Sequence, residues 1–148
     1  MEVSFLRHAQ SVFNRDHTSE KDCPLTEEGR NQAEHITGEY DIIICSILKR
    51  AKETLQYSQL TAKKLYFTEL CREMKIDICD FLEGEDETQI ETEENIQQRI
   101  IEFKKYLKEK TSLTDRVLVI CHRDFIHSMG KKAFAVPKNC EIQVIRVE

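Results

Sequence analysis

The chain has 148 residues, of which 40% are hydrophobic and 33% charged, a balance that fits one globular domain able to bury its own core. Its 27 acidic and 22 basic residues leave a net charge of -5, so bulk charge gives no attraction for polyanions and nucleic acid is not an expected partner. No apolar run reaches the roughly 18 residues of a membrane helix, and the first residues show no basic region or apolar signal core; the expectation is a cytoplasmic protein without membrane contact.

Val3 to Leu6 reads as the first strand, followed at once by Arg7 and His8. After a polar loop, Thr26 is poised as an N-cap ahead of Glu27 and Glu28, predicting a helix from Glu27 to Thr37. Asp41 to Ser46 is a short continuous apolar run, as in a strand buried on both faces of a parallel sheet. A helix is expected from Leu48 to Lys64 and a strand from Lys64 to Thr68, after which Leu70 to Thr92 has no clear period and reads as loop with short turns. Ile96, Ile100, Phe103 and Leu107, spaced four, three and four, make Glu93 to Glu109 an amphipathic helix. Arg116 to Cys121 reads as a strand, Phe125 to Phe134 as a helix, and Glu141 to Val147 as a final edge or antiparallel strand. Alternating strands and helices without a repeat or linker predict a three-layer α/β/α sandwich with a mostly parallel central sheet, one domain over residues 1–148.

Six cysteines are present, with no pair at short metal-ligand spacing, so reduced thiols are expected and no metal site is predicted. Cys45 and Cys121 end apolar runs and read as small buried hydrophobes. The acidic stretch around Glu83, Glu85, Asp86 and Glu87 reads as a solvated loop ahead of a helix start.

In an α/β sheet, side chains just beyond the carboxyl ends of strands face the ligand crevice. Arg7 and His8 stand there after the first strand and His122 after the late one; Ser46 ends the second, with Arg50 close behind. A guanidinium matches phosphate oxygens, and a neutral imidazole can act as nucleophile or acid-base group. His17, His35 and His127, by contrast, read as ordinary, partly exposed residues.

Four ordered motifs carry a family resemblance. Leu6-Arg7-His8-Ala9-Gln10-Ser11 with Asn14, Pro24-Leu25-Thr26-Glu27-Glu28-Gly29-Arg30-Asn31-Gln32-Ala33, Ser46-Ile47-Leu48-Lys49-Arg50-Ala51-Lys52-Glu53-Thr54, and Cys121-His122 after its strand resemble the histidine phosphatase superfamily, in its phosphoglycerate-mutase-like branch. The resemblance implies a metal-independent phosphatase acting on phosphate monoesters. It implies a phosphohistidine on His8, Glu73 as general acid and base, and His122 as second catalytic histidine. Arg7, Asn14, Arg50, His122, Ser11 and Arg123 would contact the phosphate. No cofactor is implied, and the partner is a small phosphorylated substrate, with a phosphoprotein also open and the oligomeric state unread. Glu83 is the rival to Glu73 as general acid, and loop capping is the rival reading for Ser11 and Asn14.

The chain departs from the family pattern at Ala9 and Arg123, each standing where the family has glycine after its histidine. Arg123 either adds a third cation to the pocket or points away. The short chain leaves little room for the insertions of larger mutases, which favours hydrolysis. A phosphoglycerate mutase-type transferase and a catalytically weakened phosphoryl-binding regulatory module are the alternatives.

Overall fold

A computed structural model of the chain describes residues 1–17 and 20–148. Five strands form one sheet: β1 (Glu2–Arg7), β2 (Thr37–Ser46), β3 (Gln59–Thr68), β4 (Val117–Cys121) and β5 (Ile142–Arg146). They lie in the order β3-β2-β4-β1-β5. All pairings are parallel except β5, which runs antiparallel to β1 at the sheet edge, as its alternating sequence predicts.

The described residues form five α-helices, α1 (Val12–Asp16), α2 (Glu27–Glu34), α3 (Lys49–Tyr57), α4 (Glu93–Lys110) and α5 (Arg123–Met129), and a short 3-10 turn at Ile78–Asp80. Side chains alternate across a strand, so each buried strand serves two cores. Val3, Phe5, Val117 and Val119 meet the α4 stripe of Ile96, Ile100, Phe103 and Leu107, together with Phe125 of α5. On the opposite face, Leu6, Ile43, Leu118 and Ile120 meet Ala51 and Leu55 of α3. Thus α4 and α5 cover one face and α3, packed on α2, the other, giving the expected α/β/α layers. None of the described helices is long and apolar enough to cross a membrane.

Three element boundaries differ from those expected. β2 starts at Thr37, where a helix end was expected, and β3 starts at Gln59 within the expected helix from Leu48 to Lys64. Five of the six residues from Gln59 to Lys64 are exposed on an edge strand, so no apolar pattern marks them. The helix expected from Phe125 to Phe134 occupies Arg123–Met129, with His122 as its N-cap and Gly130 as its C-cap. The short α1 was not anticipated; Ser11 caps it, its hydroxyl accepting from the Asn14 N–H while Asn14 Oδ1 accepts from the Ser11 N–H. Thr26 caps α2 as expected, its Oγ1 accepting from the Gly29 N–H at 2.9 Å.

Candidate active site

The carboxyl ends of β1 and β4 are neighbours, Arg7 pairing with Cys121, and the His8 N–H donates to the Cys121 carbonyl. The two histidines that follow these strands therefore come together, their ring centroids 5.2 Å apart. Above His8 opens a cavity of about 460 Å³. Of the expected site residues, Arg7, His8, Ser11, Asn14, Arg50, Glu73 and Arg123 all line it. His122 does not: it lies fully buried beside His8. Glu83 is exposed and lies outside the cavity lining, so among the two rival carboxyls the cavity contains Glu73.

His8 Nδ1 sits 2.7 Å from the Ala9 carbonyl oxygen. A carbonyl can only accept, so Nδ1 carries the proton and Nε2 keeps its lone pair. Burial, with Arg50 and Arg7 nearby, holds the His8 pKa well below its ordinary value, which keeps the ring neutral. His122 is depressed in the same way, by burial and then by Arg50 and His8. Its Nε2 meets the Ser46 hydroxyl at 2.8 Å, while Nδ1 has no hydrogen-bond partner among the described residues.

Several motif residues hold the loop after His8 rather than facing the cavity. Thr54 Oγ1 accepts from the Ala9 N–H at 3.0 Å and donates to the Arg50 carbonyl at 2.7 Å. Gln32 Oε1 accepts from the Gln10 N–H, and Glu53 Oε1 from the Leu25 N–H. Gly29 packs against the same loop so closely that a Cβ there would stand 2.0 Å from the Gln10 carbonyl oxygen. Ala9 is fully buried, so the extra methyl at that position is accommodated in packing.

Glu73 is buried, and its carboxyl accepts three backbone N–H groups: Met74 and Phe125 at Oε1 (3.0 Å each) and Asp124 at Oε2 (3.1 Å). The last two belong to the first turn of α5. Burial, then the neighbouring Asp124 and Asp80 carboxylates, push its pKa up to about 7 against the pull of Arg50 and the amides. The segment that carries Glu73 is fastened by Arg99 of α4, which donates to the carbonyls of Leu70, Arg72 and Glu73 and pairs with Glu91 at 2.7 Å. Arg72 in turn pairs with Glu85 at 2.6 Å and donates to the Asp80 carbonyl.

Arg50 is buried and fully engaged on one side, its Nη1 donating to the Cys79 carbonyl and its Nη2 to Asp80 Oδ1, both at 2.8 Å. Asp80 Oδ2 also accepts the N–H groups of Ile76 and Asp77. Burial pushes the Asp80 carboxyl up and Arg50 opposes it; with the guanidinium and two amides in contact, the ionised form is the one this geometry fits. Arg7 Nη1 donates to the Pro137 carbonyl, and its buried Nε has no partner among the described residues. Arg123 faces the cavity edge, half-exposed, and pairs with Asp124 at 3.1 Å.

Sequence reading missed Asp77, Asp80, Asp124 and Asn139 in the cavity wall, as well as His17, which it took for an ordinary surface residue. Asn139 donates through Nδ2 to the His8 carbonyl and to Asn14 Oδ1, tying the loop before β5 to the site. No spacing signal marks it, because it lies 131 residues from His8. Ser11 and Asn14 cap each other and also line the cavity, so both of their readings hold geometrically.

Comparisons with solved structures place the fold. The chain is similar to the product of an open reading frame of Mycobacterium tuberculosis, with 22% identity and a TM-score of 0.72 over 99% of this chain and 91% of that one. A protein described as a putative alpha-ribazole-5'-P phosphatase from Escherichia coli shares 19% identity at a TM-score of 0.72, over 100% of this chain and 91% of that one. A phosphoglycerate mutase from Thermus thermophilus shares 16% at 0.71, over 98% and 92%. At these identities the likeness carries the fold. The family model of the histidine phosphatase superfamily (branch 1) matches residues 3–89, the stretch that holds Arg7, His8, Arg50 and Glu73, and the chain belongs to that superfamily.

Proposed function

We propose that the protein is a phosphatase that hydrolyses phosphate monoesters through a phosphohistidine on His8. The observation that carries this reading is the state of His8: a neutral ring, its Nδ1 proton committed to the Ala9 carbonyl, with Nε2 left as a lone pair in a cavity that also holds Arg7 and Arg50. Nε2 attacks phosphorus, a P–N bond forms, and the P–O bond to the leaving alcohol breaks in line. Glu73, with its carboxyl raised to about 7, is half protonated near neutrality and gives its proton to the departing oxygen. The resulting carboxylate then takes a proton from water, whose oxygen attacks phosphorus and returns the P–N electron pair to Nε2.

Arg7 and Arg50 neutralise the equatorial oxygens, and the buried Arg7 Nε and His122 Nδ1, without a partner among the described residues, suit further contacts to an anion. The open rim of the cavity lets water reach the phosphohistidine, which supports hydrolysis over a mutase that must shield it. Expected partners are therefore small phosphorylated molecules.

The test is hydrolysis of an aryl phosphate in the presence of a metal chelator, with the wild-type chain and His8→Ala. Turnover that survives chelation and vanishes in the variant supports the reading. Activity retained by His8→Ala defeats it.

A further inference from the structure

The cavity changes character from floor to rim. His8, Arg50, Glu73 and Asp80 are buried at its floor, whereas Asp77 and Arg123 are exposed at its edge, with Phe13 and Asp124 half-buried beside them. Three arginines face four carboxyl groups across this space, so the pocket is not an excess of positive charge. Two of the arginines are already matched, Arg50 by Asp80 at 2.8 Å and Arg123 by Asp124 at 3.1 Å. Arg123 therefore brings no free cation for a second anionic group on a substrate. Asp77 is different: the Asp80 N–H bonds to its backbone carbonyl at 2.9 Å, and its exposed carboxylate forms no ion pair among the described residues. The rim also presents the Phe13 ring, set edge-on to His17 with centroids 5.2 Å apart. A carboxylate without an ion-pair partner among the described residues and an aromatic residue, lining one cavity, offer the chemistry that receives an ammonium, and the carboxylate repels a carboxylate or a second phosphate.

The geometry points to an amino-alcohol phosphate as the substrate class: a monoester whose leaving group carries an ammonium and no further anion, received by Asp77 and Phe13. This inference rests on the phosphatase reading above, since it assigns the leaving group for that same site.

The test compares phosphoethanolamine, glycerol phosphate and 3-phosphoglycerate, which place a cation, no charge and an anion near the rim, with an aryl phosphate as reference. Expected is a kcat/KM for phosphoethanolamine about tenfold above glycerol phosphate, as one exposed ion pair plus one cation-π contact supply, and 3-phosphoglycerate poorest. Asp77→Asn should remove most of that preference relative to the aryl phosphate. Arg123→Ala, which frees Asp124, should move the preference the other way and increase it. A wild-type chain that favours 3-phosphoglycerate, or an Asp77→Asn variant with the same preference as wild type, overturns the inference. If even the aryl phosphate is not hydrolysed, the phosphatase reading fails separately, and the same series is read as binding by calorimetry on the wild-type chain, where equal affinities overturn the ammonium assignment.

Discussion

Asp80→Ala isolates the least expected part of the site. The substitution removes the carboxylate that pairs with Arg50 at 2.8 Å and that accepts the N–H groups of Ile76 and Asp77. Both partners of the pair are buried, with side-chain exposures of 3% and 5%, so the variant leaves a guanidinium charge with only the Cys79 carbonyl as acceptor. Removing one partner of a buried ion pair destabilises by about 3 to 5 kcal/mol; because Arg50 lines an open cavity that water can enter, we expect the lower end. For a domain of this size, about 3 kcal/mol lowers the melting temperature by roughly 10 °C. The same lost partner frees Arg50 Nη2 for a bound anion. Inorganic phosphate should therefore raise the melting temperature of Asp80→Ala by more than that of the wild type, since binding stabilises a chain by about 2.7 kcal/mol at a hundredfold excess over its own Kd and the variant reaches that excess at a lower phosphate concentration. The assay is thermal unfolding of both chains with and without phosphate. A drop under about 2 °C, or an equal phosphate shift in both chains, would refute the view that Asp80 holds a buried charge in the proposed phosphate pocket.

Gly29→Ala should lose about 1 to 3 kcal/mol or more, because its Cβ would fall 2.0 Å from backbone at Gln10; thermal unfolding and kcat/KM should fall together, since that loop begins at His8. Glu73→Gln should lower turnover of an alkyl phosphate by about a hundredfold or more and that of p-nitrophenyl phosphate far less, because nitrophenolate leaves without a proton; equal losses for both would count against an acid role. Stability should fall on acidification below about 6.5, because His8 and His122 have depressed folded-state pKa values and resist protonation when folded. Glu73 acts in the opposite sense, its raised value of about 7 contributing stability that is present below the unfolded carboxyl range and lost as pH rises through 7. Urea midpoints from pH 7 to 5 should thus fall in the wild type and fall more steeply in Glu73→Gln, and a flat profile in both would contradict the assignment.

Strands buried on both faces announce themselves in the sequence: Ile42 to Cys45 and Val117 to Cys121 are continuous apolar runs because each face has a helix layer to meet. The stretch from Gln59 to Lys64 does not, because an exposed edge strand has no apolar face, and its Ala, Lys and Gln favour a helix locally. The site was legible where chemistry sits directly behind a strand or inside a motif, as for Arg7, His8, Arg50 and Glu73. Asp77, Asp80 and Asn139 were not, because they come from aperiodic segments whose approach is set by long-range contacts such as Arg50 to Asp80 and Asn139 to the His8 carbonyl. Motif residues such as Gly29, Gln32 and Thr54 were legible by resemblance alone, and the structure supplies their physical reason: each holds the loop that follows His8.

The most direct measurement is to trap the covalent intermediate. The chain is mixed with phosphoethanolamine, quenched in base within milliseconds, digested and examined by mass spectrometry, because a phosphohistidine P–N bond survives base and is lost in acid. The account predicts one phosphoryl group on the peptide that contains His8, absent after acid treatment and absent from His8→Ala. Steady turnover with no base-stable adduct on that peptide, or an adduct on another residue, would contradict it.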